Sequence, residues 1–287
     1  MRIAVTGANG VLGQAVRRRL SGRHEIVPLT RDDADVTDRA AVHAAIRRTD
    51  PEAVIHCAAF TDVDGSEIQP DLAQRVNALG ARNIALACAA TGASMLYMGT
   101  DYVFDGEKGA PYDEFDRPHP LNLYGRSKLA GEICVRSLLP AHYIVRTSWL
   151  YGHGGRNFVQ SVLRQAREGG PLRVVNDQVG SPTYAADLAE AIEMLLGSEA
   201  FGTYHVTNAG ECTWYQFACA ILEHAGWSEV EVVPIDSDEL DRRAVRPSYS
   251  VLRNFIFQET FGFALRPWTA ALSAYLLEER ARGTLRV

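Results

Sequence analysis

The sequence has few cysteines, no long apolar run and no excess of basic residues, and each shortage argues against a class of protein. The five cysteines are an odd number and form no C-x-x-C pair, so neither a disulfide framework nor a zinc site is indicated. No apolar stretch approaches the roughly 20 residues that span a bilayer. The 29 basic residues are fewer than the 35 acidic ones, and no basic patch predicts nucleic-acid binding. We expect a cytoplasmic protein that binds neither membrane nor nucleic acid.

What the sequence does contain is enough apolar material for a large core, with 47% hydrophobic residues in a chain of 287. Its first half alternates short apolar runs with helical patterns, which is the rhythm of βαβ units and a parallel sheet. The predicted strands are Arg2–Thr6, Glu25–Leu29, Ala53–Ala58, Ser94–Met98 and His142–Arg146. The predicted helices among them are Val11–Leu20, Arg39–Arg48, Leu72–Ala90 and Asn122–Arg136.

A glycine-rich segment lies directly between the first predicted strand and the first predicted helix. Glycines at G-x-x-G-x-x-G spacing allow a tight turn, and the helix N-terminus presents free N–H groups and a partial positive charge to a phosphate. A P-loop is excluded because no Gly-Lys-Ser/Thr follows. The segment predicts a dinucleotide site rather than a plain glycine turn. Its predicted cofactor-binding members are Gly7, Asn9, Gly10, Val11, Leu12 and Gly13.

The strand order and the glycine segment together predict an α/β fold. We expect a Rossmann-type doubly wound parallel sheet with a smaller, mixed C-terminal substrate domain. Residues 1–150 are the predicted dinucleotide-binding domain, and residues 151–287 are predicted to be mainly substrate-binding, with some segments returning to the Rossmann core. The two parts should share a cleft at the carboxyl ends of the parallel strands.

The end of the second predicted strand bears on the choice of cofactor. An acid at this position would hold the ribose of NAD, whereas this chain has Arg31, which could pair with a 2′-phosphate. Asp32 follows directly, so the sequence favours NADPH and leaves NADH open. Asp35 and Val36 lie where they could line the adenine pocket, although such residues are also ordinary helix caps.

Tyr124 and Lys128 are four residues apart and therefore share one face of a predicted helix. An ammonium held close to a phenol favours the phenolate, so we expect a lowered tyrosine pKa and proton exchange near neutral pH. The pair alone is weak evidence, because helices often carry such pairs on a solvated face. It comes one loop after a predicted strand that is followed by Thr100, whose hydroxyl could bind a carbonyl oxygen. These three residues predict ketone reduction.

The sequence resembles the extended short-chain dehydrogenases, and among them the dTDP-4-dehydrorhamnose reductases, over nearly its whole length. The motifs that carry the resemblance are Gly7–Gly13, Ala58–Asp64, Thr100–Gly106, Tyr124-x-x-x-Lys128, Arg146–Trp149, Asn176–Thr183 and Arg246-Pro247. The resemblance implies NAD(P)H-dependent reduction of the 4-keto group of a nucleotide-activated deoxysugar. It implies Thr100, Tyr124 and Lys128 as the catalytic triad, with Lys128 also holding the nicotinamide ribose.

The same resemblance implies further contacts for the two ligands. The cofactor residues that it adds are Ala58, Ala59, Phe60 and Asn77. For the nucleotide sugar it implies contacts from Thr61, Val63, Thr100, Tyr102, Trp149, Gln178 and Arg246. Trp149 could equally be a core residue, which is the commoner fate of a tryptophan after a strand.

Two departures from the family pattern limit what the resemblance implies. Gly99 stands where the family usually has a serine, so any hydrogen bond from that serine is missing. Some members dimerise through a metal held by acidic side chains, and Ala15 replaces one of these acids. We therefore predict no metal site, and a monomer or a homodimer.

Three other functions are alternatives to ketone reduction. A nucleotide-sugar dehydratase needs consecutive Asp-Glu after the threonine, whereas Tyr102 follows Asp101 here. A 4-epimerase is harder to exclude, although the run from Thr100 to Gly106 is not its pattern. The regulatory subunit of methionine adenosyltransferase also resembles these reductases and acts by binding a partner chain. Turnover of a keto sugar would separate an enzyme from such a regulatory protein.

Overall fold

The structure is a computed structural model and describes residues 1–285. Its strands are β1 Arg2–Thr6, β2 Glu25–Leu29, β3 Ala53–His56, β4 Ser94–Thr100, β5 His142–Thr147, β6 Leu150–Tyr151, β7 Leu172–Val175, β8 Val179–Gly180, β9 Thr183–Tyr184, β10 Gly202–His205, β11 Cys212–Thr213 and β12 Val232–Ile235. Its α-helices are α1 Val11–Leu20, α2 Arg39–Thr49, α3 Val63–Ile68, α4 Pro70–Gln74, α5 Gly80–Thr91, α6 Leu123–Leu138, α7 Phe158–Glu168, α8 Ala185–Leu196, α9 Trp214–Ala225, α10 Phe255–Phe261 and α11 Trp268–Ala281.

The central sheet has six strands in the order β10-β5-β4-β3-β1-β2, and all of its pairings are parallel. The chain passes from β1 to β2 on one side and then returns to β3 on the other side of β1. Loops that leave β1 and β3 therefore diverge, which opens a crevice at the carboxyl ends of the strands. The predicted doubly wound, Rossmann-type sheet is confirmed.

Successive side chains of each strand point to opposite faces of the sheet and enter separate apolar cores. Ile3 and Val5 of β1 pack with α1 and α8 on one face. Ala4 packs with α2 and α5 on the other face. Because both faces are covered by helices, the strands are buried on both sides and read as nearly continuous apolar runs.

The second half of the chain contributes both to this sheet and to a core of its own. The strand β10 pairs with β5 at the sheet edge, and α8 packs against α1. A third core contains buried side chains of α7, α9 and α11, among them Phe217 and Tyr275. No helix within the described residues 1–285 is both long enough and apolar enough to cross a membrane.

The predicted helix Leu72–Ala90 is the largest difference in the first half. The structure has α4, a π-helical segment Arg75–Leu79 and α5 in its place. The side chain of Asn77, within the π-helical segment, accepts a hydrogen bond from the Phe60 amide (2.8 Å) and donates one to its carbonyl (3.0 Å). Such a local widening of a helix often re-aims a functional side chain, and helical periodicity alone does not reveal it.

Candidate active site

A cavity of about 890 Å³ opens at the carboxyl ends of β1 to β5. Its wall is built from the ends of these strands and the segments that follow them. Residues of α4, the π-helical segment, α6 and the loop after β6 complete it. Sixteen of the predicted site residues line it: Gly7, Gly10, Val11, Leu12, Gly13, Arg31, Asp35, Val36, Ala58, Ala59, Phe60, Thr61, Thr100, Tyr124, Lys128 and Trp149. The cavity therefore joins the predicted cofactor segment to the predicted catalytic residues.

The glycine segment forms a tight turn whose packing leaves no room for larger residues. Gly7 has φ of +63°, and a Cβ on it would lie 2.6 Å from the Ala58 amide nitrogen. The turn leads into α1, whose N-cap Gly10 provides no side-chain acceptor and whose first turn contains no acidic residue. The first N–H groups of α1 are thus left for a ligand, and the helix end favours an anion. This arrangement fits the diphosphate of a dinucleotide.

The segment after β2 is organised around the Asp35 carboxylate. The amide and the hydroxyl of Thr37 donate to it at 2.9 and 2.8 Å, and these hydrogen bonds lower the pKa of Asp35 below its usual value. Arg31 Nε also donates to Asp35, at 3.1 Å, although the Arg31 side chain is 85% exposed. Asn83 donates to the Val36 carbonyl at 2.9 Å and fixes the backbone there. An exposed guanidinium therefore lies at the rim of the cavity.

Tyr124 and Lys128 are placed by the first turns of α6. Asn122 caps this helix by accepting a hydrogen bond from the Gly125 amide at 2.8 Å. Gly125 packs so closely on the Tyr102 carbonyl that no side chain would fit, and the Tyr102 and Tyr124 rings meet edge to face at 5.9 Å. Lys128 is buried, and its Nζ lies 4.3 Å from the centre of the Tyr97 ring.

Burial dominates the protonation of this pair. It raises the pKa of Tyr124 to about 12, although a hydrogen bond with Thr100 acts in the opposite direction. Burial also lowers the pKa of Lys128 to about 8, against the attraction of Glu132. The expected lowering of the tyrosine pKa by the lysine is wrong for this structure, because desolvation of the phenolate outweighs any attraction. At neutral pH Tyr124 is therefore a phenol that carries the proton needed by a general acid.

Asp101 is a buried carboxyl group in the wall of the same cavity. Ser250 donates a hydrogen bond to it at 2.6 Å and Thr100 donates one at 3.1 Å. Burial nevertheless raises the pKa of Asp101 to about 7. A group that titrates near neutral pH next to a predicted catalytic hydroxyl is typical of functional sites.

Six predicted site residues lie outside the cavity wall, and most of them are engaged within the protein. The Asn77 side chain holds the Phe60 backbone and donates to Ser127 at 2.9 Å. Gln178 is buried and donates to the Ser237 hydroxyl at 2.7 Å. The remaining four are Asn9 in the exposed part of the glycine segment, Val63 at the start of α3, Tyr102 against Tyr124, and Arg246, which pairs with Asp64 at 2.6 Å.

Trp149 lies partly in the cavity wall and partly against the core of the second half. It lines the cavity, while its ring stacks on Trp214 with the centroids 3.5 Å apart. Its backbone has φ of +46°, a conformation that is costly for a bulky residue and is concentrated at functional sites. The segment after β5 thus places Trp149 in the cavity wall with a strained backbone conformation.

Several residues of the cavity wall were not predicted. Asp101 directly follows the predicted Thr100, and Cys57 and Ser148 are neighbours of predicted residues. Their positions after strands were the available signal. Arg75 and Arg156 also line the wall, but Arg75 lies in the unpredicted π-helical segment and Arg156 in a loop of the second half. No spacing rule links either arginine to the glycine segment.

Comparison with known proteins decides between the families that share this sheet. The model of the family described as the RmlD substrate binding domain matches residues 1–281. The chain belongs to this family. That assignment confirms the resemblance drawn from the motifs, since curated relatives along almost the full length of the chain bear the expected reductase names.

The chain is also similar to curated and solved proteins along nearly its full length. The dTDP-4-dehydrorhamnose reductase of Streptomyces griseus is 43% identical, with 95% of this chain and 92% of that protein covered. The dTDP-4-keto-6-deoxy-D-glucose reductase of Streptomyces niveus is 40% identical, with 95% of each covered. The crystal structure of dTDP-4-dehydrorhamnose reductase from Bacillus anthracis in complex with NADP is 41% identical, has a TM-score of 0.94, and covers 96% of this chain and 99% of its own.

Proposed function

We propose that this chain is an NADPH-dependent reductase that converts dTDP-4-dehydro-L-rhamnose to dTDP-L-rhamnose. Relatives about 40% identical over nearly the whole chain carry the corresponding names, and a similar structure contains NADP. The observation that carries the proposal is the single cavity, in which a glycine turn fitted to a diphosphate lies alongside Thr100, Tyr124 and Lys128. NADH is the alternative cofactor.

In this proposal each residue of the triad has a separate task. The reduced nicotinamide supplies a hydride to C4 of the sugar. Tyr124 donates its phenolic proton to the O4 atom, on which negative charge develops. Thr100 turns its hydroxyl from Asp101 to donate a hydrogen bond that orients this oxygen. Lys128, charged at neutral pH, holds the nicotinamide ribose and stabilises the phenolate that remains. The raised pKa of Tyr124 supports this assignment, because it keeps the proton on the acid before reduction.

The site residues around the triad belong to the same proposal. Ala58, Ala59 and Phe60 in the cavity wall would contact the cofactor, with Asn77 holding their segment in place. Thr61 and Trp149 would line the sugar pocket. Val63 and Tyr102 would line the same pocket, and Gln178 and Arg246 would contact the nucleotide end of the substrate.

The direct test mixes the purified protein with NADPH and dTDP-4-dehydro-L-rhamnose and follows the loss of reduced-cofactor absorbance. We expect turnover with formation of dTDP-L-rhamnose, and Tyr124→Phe is the matched inactive control. A protein that binds NADPH but never consumes it with any dTDP-4-keto sugar would instead fit a regulatory subunit.

A second candidate substrate, dTDP-4-keto-6-deoxy-D-glucose, is assayed in parallel because the name of one relative contains it. The Streptomyces niveus protein is a dTDP-4-keto-6-deoxy-D-glucose reductase and is 40% identical to this chain. That sugar differs from the first in ring stereochemistry, and both present a 4-keto group to the same acid. The ratio of kcat/KM for the two sugars decides between them. A ratio in favour of the D-glucose series would replace the substrate and leave the mechanism unchanged.

Compartment, assembly and domain division are part of the same proposal. All five cysteines are free, which is in keeping with a cytoplasmic enzyme. We propose a monomer or a homodimer, which light scattering after size-exclusion chromatography distinguishes. Residues 1–150 would mainly bind the cofactor and residues 151–287 mainly the nucleotide sugar.

A further inference from the structure

A loop from the second half of the chain lies against the glycine segment. This loop, residues 152–157, is here named the arginine loop after Arg156. Gln14 of α1 joins the two segments, because its Nε2 donates to the carbonyls of Asn9 (2.7 Å) and Gly154 (3.0 Å). A Cβ on Gly155 would lie only 3.9 Å from the Val11 amide nitrogen at the start of α1. The backbone that precedes Arg156 is therefore next to the helix N-terminus.

The arginine loop is fixed at both of its ends. Asn157 donates from Nδ2 to the carbonyls of Gly152 (2.8 Å) and Gly155 (3.2 Å), so the turn is closed on itself. The buried His153 ring contacts Glu279 through Nδ1 and Glu278 through Nε2, and both acids belong to α11. A loop held in this way presents its side chains at defined positions and pays less ordering entropy when a ligand binds.

Arg156 is the cation that this loop adds to the cavity. Its side chain is exposed and lines the cavity wall, and no carboxylate oxygen of residues 1–285 lies within 4.0 Å of it.

The other cations near the predicted cofactor segments are differently placed. Arg17 of α1 donates to the Ala8 carbonyl at 3.2 Å, Arg31 pairs with Asp35, and Lys128 lies over the Tyr97 ring. Arg75 also lines the cavity wall, but it belongs to the π-helical segment and not to a loop that lies against the N-terminus of α1. The glycine segment itself contributes only backbone N–H groups, whose partial charge amounts to about half a unit. A diphosphate bound there carries about two negative charges, so a full positive charge nearby would strengthen its binding.

We propose that Arg156 binds the diphosphate of the dinucleotide, on the side opposite the N-terminus of α1. The guanidinium then supplies charge-assisted hydrogen bonds that the glycine segment cannot provide. The inference rests on the proposed use of NADPH and assigns to the second half of the chain a direct part in holding the cofactor. A sugar nucleotide carries the same diphosphate chemistry, so the test must separate the two sources.

The experiment measures dissociation constants of NADPH, NADH and thymidine diphosphate for four proteins. These are the parent, Arg156→Gln, Arg156→Lys and the control Arg164→Gln, which removes an exposed arginine of α7 outside the cavity wall. Binding of the reduced cofactors is followed by their fluorescence and that of thymidine diphosphate by calorimetry. Melting curves establish that each variant is folded.

We expect Arg156→Gln to weaken NADPH and NADH equally, by about tenfold or more, which is the usual effect of losing a charge-assisted hydrogen bond. Thymidine diphosphate binding and the Arg164→Gln protein should match the parent. Arg156→Lys should fall between, because it keeps the charge and loses the planar fork. The loss should shrink as salt is raised, since the interaction is partly screened.

Three results would overturn the inference and leave the proposed function standing. Unchanged affinity of Arg156→Gln for both cofactors would show that the arginine does not touch the diphosphate. Loss for NADPH alone would assign it to the 2′-phosphate, and loss for thymidine diphosphate alone would assign it to the substrate. A parent protein that binds neither NADPH nor NADH would overturn this inference and the proposed function together.

Discussion

Replacement of Asp101 by Asn is expected to remove a specific pH dependence from the stability of this protein. Asp101 is 3% exposed, and burial raises its pKa to about 7 against hydrogen bonds from Ser250 and Thr100. In the unfolded chain this carboxyl group has its ordinary pKa of 3.8. The folded protein therefore keeps a proton that the unfolded chain releases throughout the interval between these two values.

The sign and the size follow from proton linkage. A raised carboxyl pKa means that the free energy of unfolding falls as pH rises from about 4 to about 7, by about 1.4 kcal/mol per pH unit. Between about pH 5.5 and pH 7.5, Asp101 should thus account for roughly 2 kcal/mol of lost stability, with little further change above pH 7.5. Asn resembles the protonated acid in shape and has no charge, so the variant lacks this slope.

The assay is urea denaturation at a series of pH values, with the difference in unfolding free energy between variant and parent plotted against pH. That difference should shift in favour of Asp101→Asn by roughly 2 kcal/mol over the interval. Asp33→Asn is the matched control, because hydrogen bonds from Thr30 hold the pKa of Asp33 below its ordinary value. Its difference should be constant above about pH 5.5. A flat difference for Asp101→Asn as well would refute the argument from burial.

Three further predictions concern activity, cofactor choice and the core. Tyr124→Phe should lower kcat by roughly 100-fold or more while leaving the NADPH dissociation constant unchanged, because only the proton donor is removed; a near-parental rate in the absorbance assay would refute its role. Arg31→Ala should weaken NADPH about three- to tenfold and leave NADH unaffected, the modest size reflecting an exposed guanidinium, and equal weakening of both cofactors in fluorescence titrations would contradict this. Glu132→Gln should cost about 3 kcal/mol in urea denaturation because it leaves the buried Arg146 charge without its partner, 2.7 Å away in the structure; a loss under 1 kcal/mol would show that the charge is compensated otherwise.

Local patterns were enough to predict the sheet of the first half. The strands β1 and β2 have the predicted bounds, because glycines and turn residues mark where each apolar run ends. The strand β3 is shorter than predicted, since the backbone from Cys57 onward forms the cavity wall instead of continuing the strand. A continuous apolar run does not reveal where a strand stops pairing, because that depends on its neighbours.

A residue of the cavity wall was predictable only if it lies at the end of a strand or belongs to a familiar motif. Thr100 lies at the end of a strand, Tyr124 and Lys128 belong to a familiar motif, and all three line the cavity. Arg156 meets neither condition, because its place depends on how the second half lies against α1. The pKa of Tyr124 was also beyond a sequence argument, since it depends on how deeply α6 buries the phenol.

The strand β10 limits where chimeras between such enzymes can be joined. It forms one edge of the six-stranded sheet, although residues 202–205 belong to the second half of the chain. The helix α8, just before it in the sequence, covers α1. A fragment cut after residue 150 would leave the edge of β5 unpaired and one face of α1 uncovered, which favours aggregation. A chimera that transplants this cofactor site should therefore carry residues 185–205 with it, and a new sugar specificity is better grafted into the loops between the remaining elements.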